Sequence, residues 1–580
     1  MQLLEQVHME HFVIARHEAA TIRRNNERSA GRGHPGSQIT LSTGTGASRW
    51  WLATPLAATL IFLGGCNPAP KYVRPPALVP SLYKEASPQL YKEGAGWTVA
   101  QPSDDKIRGK WWEIYGDPEL DALEEQVAGA NQNVIAAAAA FEQARAQIRS
   151  ARASLYPTVS TSPSYLRSKE VLANIPSNLL PGHSSGPLAF TYSEYDAPVD
   201  VSYELDLWHR VRNTVAENVS NAQASAAELA TALLSNQAEL AQDYFELRSY
   251  DARRTILADT VAADEDALKL TRTLFRTGLE SDEDVTQAQT QLATAKAQET
   301  DLGVSRAQYE HAIAVLIGKP PADFSLPVAA LAPKPPSVPV GLPSELLERR
   351  PDIAEAERKV AAANAAIGVA KAAYYPSLSL SASGGFLGTT LSNWFDWSNN
   401  IWSLGPQLAE TVFDGGVRKA AVEQARGSYD QTVANYRQTV LSDFQAVEDN
   451  LAALRILSEE EEQEAQAVIL SGHYLDLSLT RYKNGVDSYL NVVSAQTTLL
   501  NNRNTEAQLQ ARQMIASVSL VLALGGGWDV AQLPSGSKLT AKTSIKTTRA
   551  LPTTDTSLPP AAPNPPPLPP ANPGGPGSDR

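Results

Sequence analysis

Leu274-Phe-Arg-Thr-Gly-Leu-Glu-Ser-Asp-Glu-Asp-Val285, followed by Ala288-Gln289 and Leu292, is answered by Arg481-Tyr-Lys-Asn-Gly-Val-Asp-Ser-Tyr-Leu-Asn-Val492, followed by Ala495-Gln496 and Leu499. Glycine, valine, alanine-glutamine and leucine all recur at an offset of 207 residues. Gly318 and Gly525 share that offset, and Val211-Arg212 matches Val417-Arg418 at 206. Farther out, Ala151-Arg-Ala-Ser-Leu-Tyr-Pro157 parallels Ala370-Lys-Ala-Ala-Tyr-Tyr-Pro376 at 219, which gives one copy a longer loop. Matches that keep their order at nearly one spacing define an internal duplication.

Each copy carries the same run of elements. A helical stretch, 119–155 or 345–374, ends at a Tyr-Pro, where proline stops the helix. Alternating segments follow: Ser377-Leu-Ser-Leu-Ser-Ala-Ser383 and Pro198-Val-Asp-Val-Ser-Tyr-Glu-Leu-Asp-Leu207 place apolar residues at every second position, the period of a strand. Two strands of about ten residues per copy match the length a tilted membrane strand needs. Long proline-free stretches, 212–276 and 417–483, come next. At 1.5 Å per residue they reach about 95–100 Å. Each turns at Gly278 or Gly485 and returns as a helix to about Ile317 or Leu524. On the return, Val285, Ala288, Leu292 and Ala295 follow the spacing of a coiled-coil seam. A soluble spectrin-like rod would share that periodicity, and the alternating segments weigh against it.

The flanks carry different information. The one cysteine, Cys66, directly follows the apolar run 52–65. That run has the length of a signal-peptide core and is too short to span a bilayer. Leu63-Gly-Gly-Cys66 resembles a bacterial lipobox, so Cys66 is the expected lipidation site, and by resemblance to other lipoproteins Asn67 after it favours sorting to the outer membrane. Residues 1–65 are then a leader with a long basic front, Arg23, Arg24, Arg28, Arg32 and Arg49, and translation is expected to start downstream of Met1. The expected organisation continues with a lipidated segment (66–118), a first repeat (119–318), a proline-rich linker (319–344), a second repeat (345–528) and a proline-rich tail (529–580) that cannot build a core.

Composition narrows the function. The net charge of −14 supplies no basic stripe for a nucleic acid. Four of the eight histidines precede Cys66, and His183, His209, His311 and His473 are remote from one another. No metal-ligand spacing and no nucleophile–base set is present, so neither catalysis nor a metal is expected. No cofactor is expected either, apart from the covalent lipid on Cys66.

Strand number then forces an oligomer. Four strands cannot close a barrel, and an open edge in lipid leaves each unpaired amide costing several kcal/mol. Two subunits would make eight strands, whose interior side chains fill. Three make twelve, leaving a lumen. Trp394, Phe395, Trp397 and Trp402, at the loop joining the last two strands, suit either a membrane-interface belt or a packed loop core.

Five motifs in order carry a resemblance: Cys66-Asn-Pro-Ala-Pro-Lys-Tyr-Val-Arg-Pro75, Trp111-Trp-Glu-Ile-Tyr-Gly-Asp117, Leu342-Pro-Ser-Glu-Leu-Leu-Glu-Arg-Arg-Pro-Asp352, Arg481-Tyr-Lys-Asn-Gly-Val-Asp-Ser-Tyr-Leu490 and Leu524-Gly-Gly-Gly-Trp528. From Cys66 to Trp528 the chain resembles the TolC-like outer-membrane factors, in their NodT-type efflux lipoprotein branch. The resemblance implies a mixed, mainly α fold: a homotrimer with a twelve-stranded outer-membrane β-barrel continued by a twelve-helix periplasmic α-barrel. It implies a passive exit duct for small molecules in a tripartite efflux system, anchored in outer-membrane lipid. The glycine turns, Gly278 and Gly485, would meet a periplasmic adaptor coupled to an inner-membrane pump of the resistance-nodulation-division type. It also implies a closed periplasmic tip. Leu490 stands at the hydrophobic ring, Asn491 and Ser494 where acidic residues often stand, and Tyr482 and Asp284 at a polar latch, with Asp487 and Lys483 nearby. This chain departs from the acidic ring and carries its acids on the first turn: Glu280, Asp282, Glu283 and Asp284. The outer duct of a type I protein secretion machine is the alternative within export. A structural trimeric coiled-coil lipoprotein is the alternative outside it.

Overall fold

A computed structural model of the chain describes residues 66–85, 109–172, 188–331, 334–338 and 343–541. The expected leader, the proline-rich tail from residue 542 and parts of the linker lie outside the described residues.

The helices of the two repeats superimpose in sequence position. The long outgoing helices are α3 (Arg210–Arg276) and α7 (Val417–Lys483), 67 residues each, and the return helices are α4 (Asp282–Leu316) and α8 (Tyr489–Ala523), 35 residues each. Every one of these limits recurs after 207 residues, so the 206-residue match of Val211-Arg212 with Val417-Arg418 is one residue out of structural register. At 1.5 Å per residue the long helices run about 100 Å. Both begin behind a residue in the left-handed region, His209 (φ 59°) and Gly416 (φ 97°).

The expected helices 119–155 and 345–374 are each broken in two. The first is α1 (Pro118–Ala130) and α2 (Gln132–Ala153); the second is α5 (Pro343–Arg349) and α6 (Pro351–Ala372). At the first break Asn131 caps α2 through the amides of Asn133 and Val134, and its own amide donates to the carbonyl of Leu316 at 2.9 Å. At the second, Pro351 opens a new helix and has no N–H to continue the old one. The repeated glycines sit against these breaks. A Cβ on Gly318 would lie 2.3 Å from the carbonyl oxygen of Ala130, and one on Gly525 would lie 2.1 Å from that of Arg349. Gly318 and Gly525 recur because both repeats fold a helix end into the same close crossing.

The sheet runs β1 (Thr158–Thr161) and β2 (Ser164–Leu172), both paired to β3 (Leu188–Leu205), then β4 (Ser377–Gly388) and β5 (Asn400–Ala409), all antiparallel. Thus β1 and β2 are one ribbon edge interrupted at Ser162-Pro163, since proline cannot donate to a ladder. One strand of the first copy exceeds the ten residues expected: β3 has 18 residues and starts ten residues before Pro198. The alternation changes phase between Tyr192 and Tyr195, which masks its first half in the sequence.

Register sorts the two faces. Val159, Val201, Ala382 and Leu404 lie side by side across the strands on one face, with Tyr203, Leu380 and Pro406 in the next row. The opposite face carries Ser160, Asp200, Ser383 and Ser403, then Ser202, Ser381 and Gly405. Trp402, Leu404 and Leu408 of β5 are largely exposed. Near them Trp394 stacks on Phe395 (4.8 Å between centroids) and packs against Tyr195, whereas Trp397 and Trp402 stand in the open. Trp394 and Phe395 thus form a packed loop core, and Trp397 and Trp402 stand outside it. Among the described residues no helix is long and apolar enough to cross a membrane.

Below the sheet, two apolar clusters hold the helices together. One joins Trp111, Leu120, Val127, Tyr244, Phe245, Ile313, Met514 and Val518; the other joins Ile353, Val360, Tyr436, Val440, Phe444, Val447 and Leu520. The described part of the linker is clamped to α3 and α4, where Arg248 donates to the carbonyl of Pro327 and Arg306 to that of Leu326, both at 2.7 Å. Asp251 binds both guanidiniums, so these buried charges are paired.

Candidate functional site: the paired hairpin tips

Both hairpins turn with one geometry. Gly278 (φ 76°) and Gly485 (φ 69°) take the left-handed conformation that ends a helix. The amides of Gly278 and Leu279 donate to the carbonyls of Phe275 and Leu274, and those of Gly485 and Val486 to Tyr482 and Arg481, all within 2.9–3.0 Å. These are the paired bonds that satisfy the last carbonyls of a helix. The turns leave Leu279 and Val486 exposed at equivalent places.

Their chemistry differs. In the first turn Ser281 and Asp284 form a reciprocal capping box at the start of α4. In the second, Arg481 pairs with Asp487 at 2.5 Å, and this guanidinium holds the Asp487 carboxyl below the usual carboxylate range. Lys483 is exposed.

Between the hairpins lies a small buried core of Ala267, Leu268, Val285, Ala288, Tyr482, Tyr489 and Val492. The rings of Tyr482 and Tyr489 meet at 5.4 Å, and the Tyr482 hydroxyl donates to Thr271 Oγ1 at 3.1 Å. Burial raises the Tyr482 phenol above its ordinary value, with Glu280 and Asp284 adding to the effect. Burial and the neighbouring Asp284 likewise raise the Glu280 carboxyl. The expected pairing of Tyr482 with Asp284 is therefore indirect within the subunit. Asp284 is committed to its own helix cap, Glu280 stands between, and Thr271 accepts the phenol's hydrogen bond.

The other expected residues fall on one face. Leu490 is 59 % exposed, and Asn491 and Ser494 are exposed beside it, while Tyr489 and Val492 turn inward. Thr271, Tyr489 and Asp264 are site residues that sequence reasoning missed. The available signal was polarity at a seam position, since Leu257, Asp264 and Thr271 repeat every seventh residue of α3 and all are buried.

At the opposite end Cys66 is exposed and free, and the segment after it is pinned down. Asn67 accepts from the amide of Asn213, near the start of α3, at 3.0 Å, and Pro70 accepts from Asn364 at 2.9 Å. Cys66 thus lies at the level where strands become helices. Arg74, Lys84 and Glu85 continue along α7 to Tyr436, Glu448 and Arg455.

A two-faced sheet leading into long helical hairpins with polar, packed tips defines a conduit subunit and not a catalyst. The chain belongs to the Outer membrane efflux protein family, whose model matches residues 123–319 and 342–526. It is 33 % identical over 476 residues to the probable efflux pump outer membrane protein TtgC of Pseudomonas putida, covering 82 % of this chain and 95 % of that one. Among solved structures it is similar to the outer-membrane channel OprN (26 % identity, TM-score 0.69, 80 % of this chain and all of that one). It is also similar to the open state of the MtrE outer membrane channel of Neisseria gonorrhoeae (26 % identity, TM-score 0.66, 80 % and 99 %). The protein is an outer-membrane efflux channel component that extends into the periplasm.

Proposed function

We propose that three copies of this chain form the exit duct of a tripartite efflux system, passing small molecules delivered by an inner-membrane pump through a periplasmic adaptor. The observation that carries this reading is the register of the sheet. Its strands present one apolar and one hydroxyl- and carboxylate-bearing face, while β5 and the β1/β2 ribbon are open edges. In lipid those edges need partners, and twelve strands give the smallest closed assembly with a lumen. The exposed Leu279 and Val486 at the glycine turns are the surface for the adaptor, and a resistance-nodulation-division pump is the partner we assign behind it.

The position of Cys66 supports lipidation, since an acyl chain attached at the strand–helix junction reaches the inner leaflet without stretching the chain. Acyl chains bind membranes with about 0.8 kcal/mol per buried methylene, so two or three anchor firmly. In the closed tip we assign Leu490 to the apolar constriction and Asn491 and Ser494 to its uncharged rim, with Tyr482, Glu280 and Asp284 holding the two turns together and Asp487 bracing the second.

The test is the mass of the detergent-extracted protein together with its conductance in planar bilayers. Three chains and an ion-conducting pore are expected. A monomer would contradict the barrel, and a non-conducting trimer would return the chain to a structural role.

A further inference from the structure

Asp264 lies on the buried face of α3, about four turns above Gly278, and is 0 % exposed. Neither of its carboxylate oxygens has a hydrogen-bond partner. On the facing helix α8, the Tyr489 hydroxyl is buried and equally unpartnered, and it feels the Asp264 charge. One further heptad along the same face of α8, Gln496 Oε1 is buried without a partner as well. A carboxylate sealed between the two hairpins with no cation is the least stable way to hold this group; a proton is the smallest ligand that relieves it.

We propose that Asp264 is a proton-operated catch between the hairpins: with its proton it stays packed against α8, and without it the tips separate more readily. This rests on the reading above, in which the tips open and close.

No other charge accounts for the site. Leu257, Thr260, Val261, Ala267, Leu268 and Thr271 share its face of α3 and are uncharged. From Tyr489 to Asn502 α8 carries no charged side chain. On α4 the nearest cation, Lys296, is paired with Glu265 at 2.6 Å on the exposed side. On the last three turns of α7, Tyr482 is the buried titratable group, while His473, Tyr474, Asp476, Arg481 and Lys483 are exposed. Glu280 and Asp284 belong to the turn and face Tyr482.

Burial pushes the Asp264 carboxyl up from 3.8 to about 6. Separation of the hairpins wets it and returns it to the ordinary value. The packed form then binds the proton more tightly, so the open-to-closed ratio rises with pH between those two values and levels off above the higher one. Two pH units of difference correspond to roughly 100-fold in that ratio.

The experiment is the open probability of the purified trimer in planar bilayers, with the pH on the tip side varied from 4.5 to 7.5. The wild type is expected to open more as pH rises, with its transition near 6. Asp264→Asn, which copies the protonated shape, is expected to give a flat, mostly closed profile. Asp264→Ala, which removes the group without adding bulk, is expected to be flat too, and Asp476→Asn, at an exposed carboxylate of α7, to keep the transition. A flat wild-type profile, an unchanged transition in both Asp264 variants, or loss of the transition in Asp476→Asn overturns the catch while leaving the duct intact. A trimer that conducts at no pH overturns both.

Discussion

The phenol of Tyr482 and the hydroxyl of Thr271, 211 positions apart in the chain, meet at 3.1 Å in the buried seam between the two hairpins. This bond joins α7 of the second repeat to α3 of the first and is buried in the tip's packing. Tyr482→Phe keeps the ring against Tyr489 and removes only the donor. A neutral hydrogen bond is worth about 0.5–1.5 kcal/mol, so the open-to-closed ratio should rise roughly two- to tenfold. Single-channel recording reads this directly. Asp284→Ala, which loses a helix cap and no contact across the seam, should change it less; unchanged recordings in both variants would remove the latch.

Leu490 stands outward on α8 while its neighbours Tyr489 and Val492 are buried. If it lines the constriction of the trimer, Leu490→Ala widens an apolar ring and raises single-channel conductance, with trimer mass and melting unchanged. Conductance equal to wild type would move the narrowest point elsewhere.

The repeated glycines should separate by cost. A Cβ on Gly485 meets nothing within 4 Å, so Gly485→Ala bears only the left-handed backbone, about 1–2 kcal/mol. At Gly525 the added atom would also collide with the carbonyl of Arg349. Thermal melting of the detergent-solubilised protein should therefore fall further for Gly525→Ala than for Gly485→Ala; the reverse order would contradict the crossing geometry.

Glu124, fully buried in α1, has neither carboxylate oxygen bonded, and burial pushes its carboxyl up to about 9. The folded state thus holds this proton more tightly than the unfolded chain. The stability contributed by the protonated acid is full at low pH and is lost as pH rises from the ordinary value toward 9. Glu124→Gln keeps a neutral group of the same shape. Its melting temperature should match wild type near pH 5 and exceed it increasingly toward pH 9, and a gap independent of pH would show that Glu124 is not buried as an acid.

Much of this architecture was legible in the chain. The limits of α7, 417–483, coincide with the proline-free stretch, because a missing breaker and a following glycine are local signals. The break at Pro351 is legible locally, since proline cannot continue a helix. The break at Asn131 was not, because its side-chain amide is also seated on the carbonyl of Leu316, 185 residues later. The start of β3 falls ten residues before the expected one, since the alternation changes phase between Tyr192 and Tyr195 and only pairing with β2 carries the strand across.

The tip divides the same way. Gly278, Gly485 and the duplication around them follow from sequence alone, because a left-handed turn demands glycine wherever it occurs. That Tyr482 would choose Thr271 over Asp284, and that Asp264 would be sealed without a partner, depended on how two hairpins encoded far apart pack side by side. Local geometry is set by neighbours in the chain. Which polar groups find partners, and which are left alone with a proton, is decided only when the helices meet.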